Sequence, residues 1–436
     1  MSQFAQMARA IREIPKKSRL GTLTRIDEGR LIARGLDKDV GVGDLCVIED
    51  GTRAEVTSVT HTEIMLIPFG SVSDLSPGAL IWKQAAGTMR PHAGWLGRVV
   101  NAFGDPQDGR ALASQHSAPP VMSQRNVLDR RGLGERLDTG EPAIDTMLPI
   151  VRGQRIGLFA GSGVGKTSLL NSLAQGIQAD VIVFAMIGER GHELASFLRD
   201  VMGAETRERS ICVAATADCS ALERRRAAQT AIDIAEHFKD QGQHVLLLMD
   251  SLTRWAEAHR QIEAAQSGRT VGTGFPANTA QDLARMMERL GPGADGQGDI
   301  TAVLSILVAG SDMDEPLADM VRGMLDGHII LDREIAERGR YPAIDVLRSV
   351  SRSLPRAATT AENIVINRVR ETLTTAARIA PLRDAGLSSE GADPHSDKIL
   401  RTASRIDVLW AARDIPDAAQ AFTKLSALVD TVFEGD

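Results

Sequence analysis

Between Gly157 and Leu173 the chain reads GLFAGSGVGKTSLLNSL, and the residues able to do chemistry are concentrated in its middle. Gly161, Ser162, Gly163, Val164, Gly165, Lys166, Thr167 and Ser168 follow an apolar run and open a helical one. Glycines at 161, 163 and 165 let consecutive backbone N–H groups close around phosphate oxygens at the positive end of a helix beginning near Thr167. Lys166 would then reach the β- and γ-phosphates of a nucleoside triphosphate, and the Thr167 hydroxyl would bind Mg²⁺. The strict motif has glycine at position 160, and Ala160 departs from it at that one place. A glycine-rich link between strand and helix does not by itself account for a Lys-Thr pair where the helix opens. Hydrolysis would need two further carboxylates. Asp250 ends the apolar run HVLLLMD and Glu189 ends VIVFAMIGE, positions where side chains emerge at the carboxyl edge of a parallel sheet. Either alone could be a helix cap. Together, behind a phosphate loop, they read as the acid that holds a metal's water shell and the base that polarises water.

The elements that must position these groups are legible from periodicity. From about Pro142 onward RIGLF, DVIVFAMIGE, ERSICVAAT, HVLLLMDS, ITAVLSILVAG and GHIILDR are β-branched apolar runs, flanked by helical periods such as 221–238 and 280–289. Strands alternating with helices predict an α/β fold with a mostly parallel sheet covered on both faces. Before it, Leu20 to about Gln84 alternates at period two between turn signals at Asp50-Gly51 and Pro77-Gly78, which predicts a small β-barrel or sandwich. Residues 96–110 are turn-rich and read as a connector. The polar run 111–138 carries Arg125, Arg130, Arg131 and Arg136, whose simplest role is a solvated surface. After about Pro355 only helical patterns remain.

Composition narrows the class. An apolar fraction of 43% with 25% charged residues over 436 residues is that of a well-packed chain of two or three domains. A net charge of -7 opposes a main role in coating nucleic acid. Three cysteines, Cys46, Cys212 and Cys219, lack metal or disulfide spacing and fit a reducing cytosol. No apolar run approaches the roughly 20 residues of a membrane span. The first residues differ: Phe4, Met7, Ala8, Ile11 and Ile14 recur at helical spacing opposite Arg9, Arg12, Lys16, Lys17 and Arg19. Such a helix could lie on anionic lipid, dock in a partner's groove or pack on its own domain.

The pieces FAGSGVGKTSLL, AMIGERGHE, LLLMDSLTRWAEAHR, YPAIDVLRSVSRSLP and TGEPAIDTMLPIVRGQR resemble the hexameric RecA-like ATPases that include the rotary ATP synthase head and the type III protein export ATPases. The resemblance runs over residues 20–420. It implies an α/β RecA-like core with an N-terminal β-barrel and a C-terminal α-helical domain. The expected division is an amphipathic helix at 1–19, a barrel at 20–90, an ATP-binding domain at 91–355 with a connector at 91–141, and helices at 356–436.

By the same resemblance ATP and Mg²⁺ are the implied ligands. Glu189 becomes the catalytic carboxylate, Arg190 the neighbour that positions it, Asp250 the metal-shell acid and Arg254 an arginine near the γ-phosphate. Tyr341, the single tyrosine, matches the aromatic that stacks on adenine. Arg352 matches the arginine finger that crosses a subunit boundary, a contact worth about 10³–10⁵ in rate. Because one chain carries both Glu189 and Arg352, a homohexamer with six complete sites is the implied assembly.

Within the family the resemblance favours flagellar export, with a virulence injectisome ATPase or a catalytic-type rotary synthase subunit as alternatives. It implies a cytoplasmic protein at the periphery of the inner membrane. Its partners would be regulatory and stalk proteins, export substrates, chaperones, and an export gate or acidic lipid. An RNA translocase shares the core, but the barrel region offers only Phe69 and Trp82 for base stacking, so no nucleic acid partner is expected. TVGTGFPAN at 270–278 departs from the tyrosine- and proline-rich pore loop of export relatives.

Overall fold

The computed structural model describes residues 19–27, 29–70, 72–84, 89, 91–112, 129–267, 274–308, 313–389 and 391–433. The amphipathic start, Arg125 and residues 270–273 lie outside them.

Six antiparallel strands form a closed barrel: β1 (Leu20–Asp27), β2 (Arg30–Arg34), β3 (Leu45–Ile48), β4 (Arg53–Val59), β5 (Ile64–Pro68) and β6 (Leu80–Lys83), in the ring order β1-β2-β5-β4-β3-β6. Alternation decides which side chains point inward. Leu31 and Ala33 of β2, Cys46 and Ile48 of β3, and Ala54 and Val56 of β4 are buried together. Closure removes the free edges that would otherwise invite pairing with another chain.

The central sheet has nine strands: β7 (Arg98–Val100), β10 (Arg155–Ala160), β11 (Val181–Ile187), β12 (Ser210–Ala215), β13 (Val245–Asp250), β14 (Gly291–Pro292), β15 (Asp299–Leu307), β16 (Gly327–Leu331) and β17 (Val350–Ser351). Its order is β17-β16-β10-β15-β13-β11-β12-β7, and only β14 and β17 run antiparallel to their partners. A separate two-stranded ribbon pairs β8 (Arg136–Leu137) with β9 (Ile150–Val151).

Period-two alternation splits each central strand between two cores. On one face Leu246 and Leu248 of β13 pack with Leu169, Leu170 and Leu173 of the helix Lys166–Gly176 and with Val365, Ile406 and Leu425 of the C-terminal helices. On the other, Val245, Leu247 and Met249 meet the helices Ala221–Asp240, Leu252–Ser267 and Thr279–Arg289. The chain ends in three long helices, Thr360–Asp384, Pro394–Trp410 and Ala418–Phe433.

Two expectations are corrected. The stretch 96–110 is not only a connector, because Arg98–Val100 is the outermost strand of the sheet, parallel to β12. Arg98 is held there by Asp108, with Nε and Nη2 donating at 2.6 and 2.8 Å. Arg130, Arg131 and Arg136 of the polar run are not a solvated surface either. Arg131 donates at 2.7 Å to the buried Asp299, Arg136 at 3.0 Å to Glu362, and Arg130 pairs with Glu288 at 3.0 Å. They pin an irregular segment to the sheet and to the C-terminal helices.

Candidate active site

The phosphate loop leaves β10 at Ala160 and turns into the helix Lys166–Gly176. Gly163 and Gly165 adopt φ of +78° and +92°, a left-handed backbone that the sequence satisfies with glycine at both places. Val164 is buried and anchors the loop, while Ser162 and Ser168 are exposed. Gly165 caps the helix and supplies no side-chain acceptor to its first N–H groups. Those donors, at the positive end of the helix dipole, are suited to an anion. Gly161 lies beside the Val308 carbonyl, where a β-carbon would come within 3.8 Å of it.

Asp250 projects to the same face of the sheet as Leu246 and Leu248, which places it under the start of the loop helix. Lys166 Nζ donates to Asp250 Oδ1 and lies 3.5 Å from Glu189 Oε1, so one cation bridges the two carboxylates. Asp250 is 1% exposed. Its Oδ1 also accepts from the Ser305 hydroxyl at 2.8 Å, whereas Oδ2 is buried with no hydrogen-bond partner. Burial raises the pKa of Glu189, the nearby Asp250 charge raises it further, and Lys166 opposes both.

Thr167, in the first turn of the loop helix, and the buried unpaired Asp250 Oδ2 are oxygen donors of the kind Mg²⁺ takes. Among the described residues no group of three or more His, Cys, Asp or Glu could hold a metal unaided. That fits Mg²⁺, which is commonly held by one or two protein oxygens together with substrate phosphates and water.

Glu189 is aimed by a feature that the sequence analysis passed over. Gly188 has φ +73°, and a β-carbon there would fall 2.8 Å from Arg254 Cγ. Only glycine therefore allows the chain to turn after β11 against the Arg254 stem. Arg254 Nη1 pairs with Glu257 at 2.9 Å, and its buried Nε has no hydrogen-bond partner. Arg190, at the start of the helix Gly191–Ser196, has a side chain that is 73% exposed and pairs with Glu193 at 3.5 Å. Tyr341 does reach the loop, since a β-carbon on Gly165 would lie 3.4 Å from its Cδ1.

Arg352 is absent from this cluster. It follows β17, its N–H donates to the Asp326 carbonyl at 3.0 Å, and Asp326 donates in turn to the carbonyl of Arg155, the first residue of β10. Arg352 thus sits at the amino edge of the sheet and the phosphate loop at the carboxyl edge. Two further polar links escaped the sequence reading. One is Ser305 on Asp250; the other joins buried Glu141 to Ser172 of the loop helix and to Arg413 beyond the helix Pro394–Trp410.

Fold and site together define a phosphate-loop ATPase, and residues 140–351 match the family model for the nucleotide-binding domain of the ATP synthase alpha/beta family. The chain is 41% identical to the flagellum-specific ATP synthase of Caulobacter vibrioides over 362 residues, covering 81% of this chain and 82% of the relative. It is 39% identical to that of Salmonella typhimurium over 429 residues, covering 94% of each. The structure of the assembled ATPase EscN in complex with its central stalk EscO, from the enteropathogenic E. coli type III secretion system, superposes with a TM-score of 0.84 at 34% identity, covering 94% of this chain and all of EscN. The chain belongs to the flagellar and type III secretion ATPases of the ATP synthase alpha/beta family.

Proposed function

We propose that the chain assembles as a homohexamer that hydrolyses ATP at subunit boundaries to drive protein export by a flagellar type III apparatus. The single observation that carries the shared-site reading is the separation of Arg352 from its own phosphate loop. The six residue-to-residue steps from Arg155 to Gly161 span roughly 20 Å at the rise of a strand, beyond the reach of an arginine side chain. An arginine finger at position 352 can therefore serve only a neighbouring copy. Names of the relatives support the export setting, and EscN with its stalk supports an assembled ring around a central partner.

The chain's own residues supply the following roles. Backbone N–H groups from Gly161 to Thr167 hold the phosphates. Lys166 moves its charge from the two carboxylates to the β- and γ-phosphates. Mg²⁺, held by Thr167 and by Asp250 through water, would neutralise phosphate charge. Glu189, its basicity raised by burial, orients water for attack on the γ-phosphorus. Arg254 stands beside it, Tyr341 offers a ring to adenine, and Arg352 of the next subunit meets the developing negative charge. Hydrolysis passing around the ring would shift the C-terminal helices, residues 356–436, against whatever occupies the pore. Among the described residues no helix is long and apolar enough to cross a membrane.

The test is complementation between two inactive chains. Arg352→Ala and Glu189→Gln, each inactive alone, are expected to restore part of the ATPase activity when mixed, with specific activity rising with protein concentration. A fully active Arg352→Ala at any concentration would refute the shared site.

A further inference from the structure

Ser305 lies in β15, the strand inserted between β10, which delivers the phosphate loop, and β13, which delivers Asp250. It is opposite Leu158 in register and fully buried. Along β15 its side chain shares a face with Val303 and therefore with Leu158, Leu246 and Leu248, an apolar layer in which a hydroxyl is the exception. A hydroxyl buried without a partner is costly, and this one has a partner, Asp250 Oδ1, at 2.8 Å. Asp250 Oδ1 thus takes two donors, Ser305 Oγ and Lys166 Nζ, while Oδ2 takes none.

The two donors are not equivalent. Lys166 sits on the first turn of the loop helix and is the group the phosphates draw away during turnover. Ser305 is fixed by the sheet itself and has no other hydrogen-bond partner among the described contacts. A carboxylate turns freely about its last torsion unless an oxygen is anchored. We propose that Ser305 is a positioning residue for Asp250. It holds Oδ1 when Lys166 is engaged by phosphate, which keeps Oδ2 available as the acceptor for the water shell of the metal. The inference rests on the reading of Asp250 as the metal-shell acid.

The experiment compares Ser305→Ala, Ser305→Thr and Ser305→Val with Asp250→Asn. In the Glu189→Gln background, which blocks turnover, affinity for a fluorescent ATP analogue is measured with Mg²⁺ and with EDTA. In the otherwise wild-type background, kcat and KM are measured. A hydrogen bond to a charged group sets the scale, so Ser305→Ala and Ser305→Val are expected to lose about tenfold of the Mg²⁺-dependent gain in affinity and about tenfold in kcat, with the EDTA affinity unchanged. Ser305→Thr, which keeps the hydroxyl, is expected to retain both. Thr and Val have nearly the same shape, so their comparison stands even where the alanine variant folds poorly. Equal losses in Thr and Val would make the site one of packing and overturn the proposal. Full Mg²⁺-dependent gain in Ser305→Val, with loss in Asp250→Asn, would overturn it while sparing the role of Asp250. Full gain in Asp250→Asn would remove the metal-shell reading and the inference with it.

Discussion

In the proposed mechanism Glu189 is the residue on which the chemistry turns, and its surroundings make a signed expectation about pH. A base works deprotonated. Burial and the Asp250 charge raise its pKa, so protonation begins at a higher pH than for an ordinary glutamate. The acid limb of the kcat profile should therefore lie above the usual glutamate range, with activity falling as pH drops through it. Glu189→Gln is expected to bind a fluorescent ATP analogue with near wild-type affinity, to lose turnover by about 10²-fold or more, and to lack that limb. Lys166→Ala should weaken both binding and turnover. These residues were legible because each is local: a loop between strand and helix, or an acid at a strand's end. Ser305 and the Gly188–Arg254 contact were not, because they depend on which strand lies beside which. A lone serine in ITAVLSILV was the available signal. The pairing of the exposed Arg190 with Glu193 was likewise not legible, because it depends on the short helix Gly191–Ser196 that follows.

Two close approaches show how tightly the elements are set. At Gly188 an added methyl would meet the Arg254 stem, a movable side chain. At Gly176, the last residue of the loop helix, it would fall 1.8 Å from the Thr139 carbonyl, which is backbone. Gly188→Ala is thus expected to reduce kcat strongly with modest loss of stability, because it displaces the turn that aims Glu189. Gly176→Ala should cost about 1–3 kcal/mol or more, seen as a lowered Tm, by forcing the helix away from residues 139–140. The long apolar runs were readable as strands because their length and β-branching exceed what a loop sustains. Arg98–Val100 was not, since three residues between turns carry no period, and its strand exists only through β12. The arginines from 130 to 136 were misread because their carboxylate partners lie more than 150 residues away in sequence.

At the scale of the molecule, the C-terminal region meets the loop helix through apolar packing and through a part-buried charged joint. Arg413 reaches buried Glu141, which is also bonded by Ser172 of the loop helix. Arg413→Ala leaves that buried carboxylate without its cation, held by the Ser172 hydroxyl, and is expected to lower stability by about 2 kcal/mol, read as a shift in the urea midpoint, with Glu141→Gln in the same chain recovering much of the loss. The three-part organisation was visible as changes of periodicity along the chain. The joint was not, because it links residues 141 and 413 across the whole ATP-binding core. Tyr341 has a practical consequence of a different kind. It is the chain's one tyrosine, and its ring rests against Gly165. Incorporating fluorotyrosine therefore gives a single ¹⁹F resonance at the nucleotide site of every subunit. In a ring whose sites stand at different stages of turnover, that one nucleus would split into as many lines as there are kinds of site, and the relative intensities would count them.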